Sequence, residues 1–162
     1  MRGAEMLIMK YYLFINPYLQ RITVALFLCL WLASCGPMSF VDISLTPEYS
    51  SVIGKQFRVK EDLWAFGIMS KIDYPKKVDY IVLMKIRIGG REVITEERLK
   101  SGFVFRVVRV LKARVSLLPT VKYIVEIVDS NKFKGYEVEV DMTGDANDGN
   151  YGLDKSVYAL EN

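Results

Sequence analysis

The chain contains no histidine. That absence removes the side chain most used as a general base, the commonest metal ligand and the ordinary switch near neutral pH. Cysteine is almost missing too, with only Cys29 and Cys35 in 162 residues. Two thiols are too few for a closed zinc site or a disulfide framework, so no metal or cofactor is expected. Neither sign of charge dominates: 22 basic residues stand against 19 acidic ones, a formal +3. Nucleic-acid binding wants a strongly basic face, and no nucleic-acid partner follows from this balance. No Gly-rich phosphate loop, CxxC or HExxH pattern occurs. No apolar run reaches the roughly 20 residues that a spanning helix needs. What remains is 51% apolar and 25% charged residues, ordinary usage for one globular domain at about this length.

The amino-terminal stretch reads as an export signal. Lys10 and Arg21 supply its positive charge, and Glu5 is the only acid before Asp42. Arg21 is followed by the uncharged run from Ile22 to Leu32, then by the small residues Ala33 and Ser34. An apolar run of about 11 to 14 residues suits a signal-peptide core. Met9-Lys10 reads as a second start site within the charged region. Leu32-Ala33-Ser34-Cys35 resembles the lipobox of bacterial lipoprotein precursors: a leucine, two small residues and the cysteine, closing an apolar run behind basic residues. The resemblance covers residues 1–36. It implies cleavage before Cys35, whose sulfur would carry a diacylglycerol and whose new amine would be acylated. A thiolate is a good nucleophile for such alkylation. Gly36 in place of an aspartate leans, within that class, towards the outer membrane of a Gram-negative envelope, facing the periplasm. Cys29 would leave with the signal.

The expected organisation is therefore 1–34 signal peptide, 35–51 lipidated amino terminus and tether, and 52–162 a single β-rich domain. Removing Arg2, Lys10, Arg21 and Glu5 from the 22 basic and 19 acidic residues leaves 19 and 18. A net charge of about +1 gives electrostatic steering little to work with.

Beyond the leader, strand patterns dominate. Phe40–Leu45 fits an edge strand. Lys55–Lys60 and Tyr136–Asp141 alternate polar and apolar residues, the second reading as apolar in and acid out. Asp79–Ile88 is rich in β-branched residues, and Gly89-Gly90 predicts a two-residue hairpin turn into Arg91–Leu99. Within that return, Thr95–Leu99 also fits a short helical turn. Ser101-Gly102 is a second turn signal. Phe103–Leu111 is the strongest strand pattern, and Tyr123–Val128 another. About six short strands with no amphipathic helix predict an all-β fold, a small antiparallel barrel or sandwich of SH3-like or OB-like kind.

Few residues suggest chemistry. Asp141–Asn150 is rich in oxygen ligands, but an EF-hand-type loop starting at Asp145 would carry Gly149, Asn150 and Ser156 at its fifth, sixth and twelfth positions. Those positions need an oxygen ligand, glycine and glutamate, so a solvated Asp-Asn-Gly turn is the expectation. Ser50, Ser51, Ser101, Ser116 and Ser156 have no histidine to activate them; Lys55 or Lys100 is the remaining candidate base. Glu96-Glu97 is most simply a charged surface. Trp64, with Phe66, Tyr74 and Tyr80, is a candidate aromatic platform for glycan or protein contact, although alternating aromatics usually face a core. Lys76-Lys77 after Pro75 reads as an exposed loop tip near lipid headgroups. Trp64, Tyr74, Lys76 and Lys77 thus form the candidate binding surface, Cys35 the lipidation site, and no catalytic residue is assigned. The expected function is a non-catalytic binding or accessory module, of inhibitor, immunity or assembly type. It would be held to the membrane by its lipid and face an envelope protein or glycan. The alternative is an envelope hydrolase using serine–lysine or carboxylate chemistry.

Overall fold

The structure is a computed structural model, and it describes residues 21, 22, 24, 39–70, 75–114 and 120–161. The chain divides into two units, Met1–Pro37 and Met38–Asn162. Residues 21, 22 and 24 of the first are helical and exposed. Among the described residues no helix is long and apolar enough to cross a membrane. The lipobox and most of the apolar run lie outside the described residues.

The second unit is all-β. Its strands are β1 (Phe40–Asp42), β2 (Gln56–Val59), β3 (Leu63–Ile68), β4 (Tyr80–Met84), β5 (Val93–Leu99), β6 (Val104–Ala113), β7 (Val121–Ile127), β8 (Glu137–Asp141) and β9 (Tyr158–Leu160). They form one sheet ordered β5-β3-β4-β8-β7-β6-β2-β9, with β1 paired to β6 off this path. Pairing is antiparallel throughout except for the parallel joint between β4 and β8. Leu63, Ala65 and Leu99 from one end of this order share a core with Phe57 and Tyr158 from the other. The sheet therefore bends round its core without closing, as twisted strands allow.

β6 organises the sheet. Half of its ten residues, VFRVVRVLKA, are β-branched or aromatic, which suits a pleated surface. One edge pairs with β7; the other takes β2 near Val104–Arg106 and β1 near Leu111–Ala113. The chain between β1 and β2 folds over the core, burying Tyr49 and Val52. It is held by Gly54 N–H on the Val107 carbonyl (2.8 Å) and by Val107 N–H on the Lys55 carbonyl (3.0 Å). The fold thus begins at β1, where the edge strand was expected, and residues 40–51 form part of the packed domain.

Two sequence expectations are corrected. The Gly89-Gly90 hairpin does not form: β4 and β5 both pair with β3 and lie on opposite sides of it. Five of the six β3 residues are buried, and a strand that apolar gains most from a central place. Residues 85–92 then cross from one flank of β3 to the other, and Thr95–Leu99 is strand. The second correction concerns β8. Its pattern is buried at Val138, Glu139 and Val140 alike, because β8 sits between β4 and β7 and Glu139 meets Lys122 there.

The register lays down two adjacent rows across five strands. Ala65, Leu83, Val140, Tyr123 and Val110 are successive partners on the core face. Phe66, Val82, Glu139, Ile124 and Arg109 are successive partners on the other.

Candidate functional site

Cys35 and Tyr74 lie outside the described residues, as does Ser116. The other residues of the expected binding surface are placed apart. Trp64 pairs with Met84 at one end of β4, whereas Lys76 and Lys77 lead into the Tyr80 end. Both lysines are exposed.

Trp64 is only half exposed. Its ring stacks on Phe66 at 6.3 Å, and the guanidinium groups of Arg87 and Arg98 lie 5.4 and 5.9 Å from its centroid. Arg87 also donates from Nε to Glu96 at 3.0 Å, which holds the Glu96 carboxyl below the usual range. Two cations therefore already occupy the electron-rich ring that a glycan or ligand cation would use. Alternation in β3 placed Trp64 correctly on a face; the arginines come from β5 and from the 85–92 crossover, and no local signal announced them.

Two of the serine–lysine candidates, Lys100 and Ser156, bond carboxylates. Lys100 Nζ and the Ser101 amide both bond Asp62, at 3.1 and 3.0 Å. The Ser156 hydroxyl donates to Asp154 at 2.7 Å. In the Asp-Asn-Gly segment the carboxylates cap backbone amides: Asp145 takes Asn147 N–H at 2.9 Å and Asp148 takes Asn150 N–H at 2.7 Å. Asn150 departs from the solvated turn expected. It is 5% exposed and donates to the Leu153 and Tyr158 carbonyls at 2.8 and 3.2 Å, tying the loop to β9. Among the described residues no cluster of carboxylates or thiols is arranged to hold a metal ion.

The most developed surface feature lies where the chain enters the sheet. At the end of β1, the Ser44 amide and hydroxyl both donate to Asp42 Oδ1, at 2.9 and 2.6 Å. The same hydroxyl accepts from Val110 N–H at 2.9 Å, and Thr46 Oγ1 donates to the Ile43 carbonyl at 2.8 Å. These bonds hold the Asp42 carboxyl below the ordinary value, Ser44 being the chief cause. They also fix the turn that presents Leu45, which is 95% exposed. Leu45 and Ile53 line one recess with Val108 and Arg109. Val41, also exposed, stands on β1 opposite Lys112. At the start of β1, Arg114 N–H bonds the Ser39 carbonyl at 2.8 Å. Lys112 and Arg114 are exposed, and among the described residues neither belongs to an ion pair.

β1 is locked on its other side. Phe40 lies under the Lys122 ammonium, 3.9 Å from its ring centroid. That ammonium pairs with Glu139, both side chains being about nine-tenths buried, and burial raises the Glu139 carboxyl above its usual value. Comparison with protein-family models, curated proteins and solved structures returns no match.

Proposed function

We propose that the protein is a bacterial envelope lipoprotein, anchored through lipid on Cys35, whose β domain is a non-catalytic binding or accessory module. The observation that carries this reading is Leu32-Ala33-Ser34-Cys35 at the close of an apolar run behind Arg21, with a folded strand beginning at Phe40. Chemistry supports it. One fatty chain binds a membrane marginally, whereas the two or more chains of a lipidated cysteine hold firmly, at about 0.8 kcal/mol per buried methylene. The mature chain would keep a single cysteine, blocked as a thioether. Its partner would be an envelope protein or glycan, met from the periplasmic side of the outer membrane in a Gram-negative cell. Labelled palmitate followed by intact-mass measurement tests the anchor. Lipid is expected on the native chain and none on Cys35→Ser, which should also keep its leader and run heavier. Palmitate on the Cys35→Ser protein would overturn the assignment.

A further inference from the structure

We infer that the β1 side of the domain, which carries the exposed Val41, Leu45 and Ile53 and, at the start of β1, Lys112 and Arg114, lies against the headgroup layer of the membrane that holds the protein. The inference rests on the lipid anchor proposed above. Its support has three parts, of which the first takes Cys35 as the anchor and the other two come from the β domain itself.

Reach comes first. Four residues lie between Cys35 and Phe40, and the five steps from one to the other, at about 3.3–3.6 Å each, span at most roughly 18 Å when fully extended. With β1 paired to β6 from Phe40 onward, no longer tether is available, and an anchored domain must keep its β1 side close to the bilayer.

The second part is chemical. Val41, Leu45 and Ile53 are three of the exposed large apolar side chains, and all lie within the segment that follows the anchor. Leu45 is presented by a turn bonded both to Asp42 and to β6, so its exposure is built in. The interfacial layer of a bilayer accepts a side chain presented in this way.

Charge is the third. Lys112 stands opposite Val41 and the Arg114 amide bonds the Ser39 carbonyl, so both cations lie where the chain arrives from the anchor and anionic headgroups would meet them. The acids nearby count less. Asp42 is bonded by Ser44, and Glu48 is the remaining carboxylate of the turn. Lys76 and Lys77 do not belong to this surface. They enter β4 at Tyr80, which pairs with Glu137, whereas β1 enters at the sheet end where Lys122 pairs with Asp141.

The test uses the lipidated protein in vesicles of phosphatidylcholine and phosphatidylglycerol carrying nitroxide-labelled lipid. Its own cysteine is blocked by lipid, so an introduced thiol takes a fluorophore selectively. Leu45→Cys carries the reporter. Val128→Cys, also exposed and beyond the far end of β7, is the comparison. Nitroxide lipid should quench the Leu45 label about two-fold or more beyond the Val128 label, as for a side chain seated in the interface. Adding Lys112→Glu and Arg114→Glu should reduce that excess in the anionic vesicles. Equal quenching at the two sites, on protein shown by mass to carry its lipid, overturns the membrane-facing surface and leaves the anchor standing. A native chain without lipid overturns both.

Discussion

On the core face, the row Ala65, Leu83, Val140, Tyr123 and Val110 is at most 4% exposed, and its one polar group is satisfied. The Tyr123 hydroxyl donates to the Tyr151 carbonyl at 2.6 Å. One residue on in β3 and β7, and one back in β4, β8 and β6, the other face reads Phe66, Val82, Glu139, Ile124 and Arg109. Here Phe66 and Ile124 are as buried as core residues, yet the row carries an ion pair at its centre and an exposed arginine at its end. The same strands thus solve two problems. One face is apolar because burial of apolar area drives folding. The other hides charge, which costs desolvation unless the partner and its hydrogen bonds are in place. Polar alternation in a strand therefore marks a change of face and does not by itself mark water.

The largest effect should come from the core. Phe57 is fully buried and stacks on Phe105 at 5.7 Å with Tyr151 edge-on at 6.3 Å. Phe57→Ala should cost about 3–5 kcal/mol, by lost transfer energy and a cavity that aromatic neighbours cannot fill. Chemical denaturation measures it; a loss below about 1 kcal/mol would mean that this face is not the seat of stability.

The next effect breaks the opposite face. Lys122→Met leaves Glu139 buried without its partner, and such a loss should cost about 3 kcal/mol. The double variant Lys122→Met with Glu139→Met should recover most of this, since apolar replacement of a buried pair is often neutral. If the double variant is as unstable as the single one, the pair contributes net stability, and the contrast between the faces narrows.

Legibility in the sequence followed the same divide. β2, β6, β7 and β8 announced themselves through alternation and β-branched runs, and the all-β class came from them. Gly102, at φ +100°, makes the turn before β6 that Ser101-Gly102 suggested. What failed were relations between distant residues. Nothing near Gly89-Gly90 says that β3 will take the place between β4 and β5. Nothing within β8 says that Lys122, from β7, will reach Glu139. Pairings such as β4 with β8 depend on the whole sheet, and a local pattern carries no trace of them. At the candidate surface, Leu45 fell within the 35–51 stretch read as tether and Ile53 just inside the expected domain; the bonds from Val110 N–H to Ser44 Oγ and from Gly54 N–H to the Val107 carbonyl show that the segment is pinned.

A pH profile sharpens the comparison by sign. Burial raises the folded-state pKa of Glu139 above its usual 4.5. The unfolded chain therefore loses that proton first, and the contribution to stability present below about pH 4.5 fades as pH rises through the folded value. Asp62 and Asp148 behave oppositely. Both are held below 3.8 by hydrogen bonds, foremost the backbone amides of Ser101 and Gly152, and their contribution fades as pH falls. Glu139→Gln should flatten the decline above pH 4.5 and leave the acid limb unchanged, read from denaturation midpoints across pH. An unchanged slope above pH 4.5 would show that Glu139 does not titrate differently in the fold.

The smallest effect is expected at the rim, where charge is paired but not hidden. Arg58 donates from Nε and Nη2 to Glu161 at 2.7 and 3.2 Å, and from Nη1 to the Gly102 carbonyl at 2.8 Å. The geometry matches that of a strong bidentate pair. Yet the Arg58 and Glu161 side chains are 48% and 35% exposed, so water and salt screen the attraction and neither group was stripped of its hydration. Arg58→Gln should therefore shift the denaturation midpoint only slightly, and less again at 1 M salt. The result expected from Lys122→Met, larger and nearly independent of salt, differs because that charge lies buried over Phe40 and beside Glu139. Equal losses for the two variants would remove burial as the reason that the two faces behave differently.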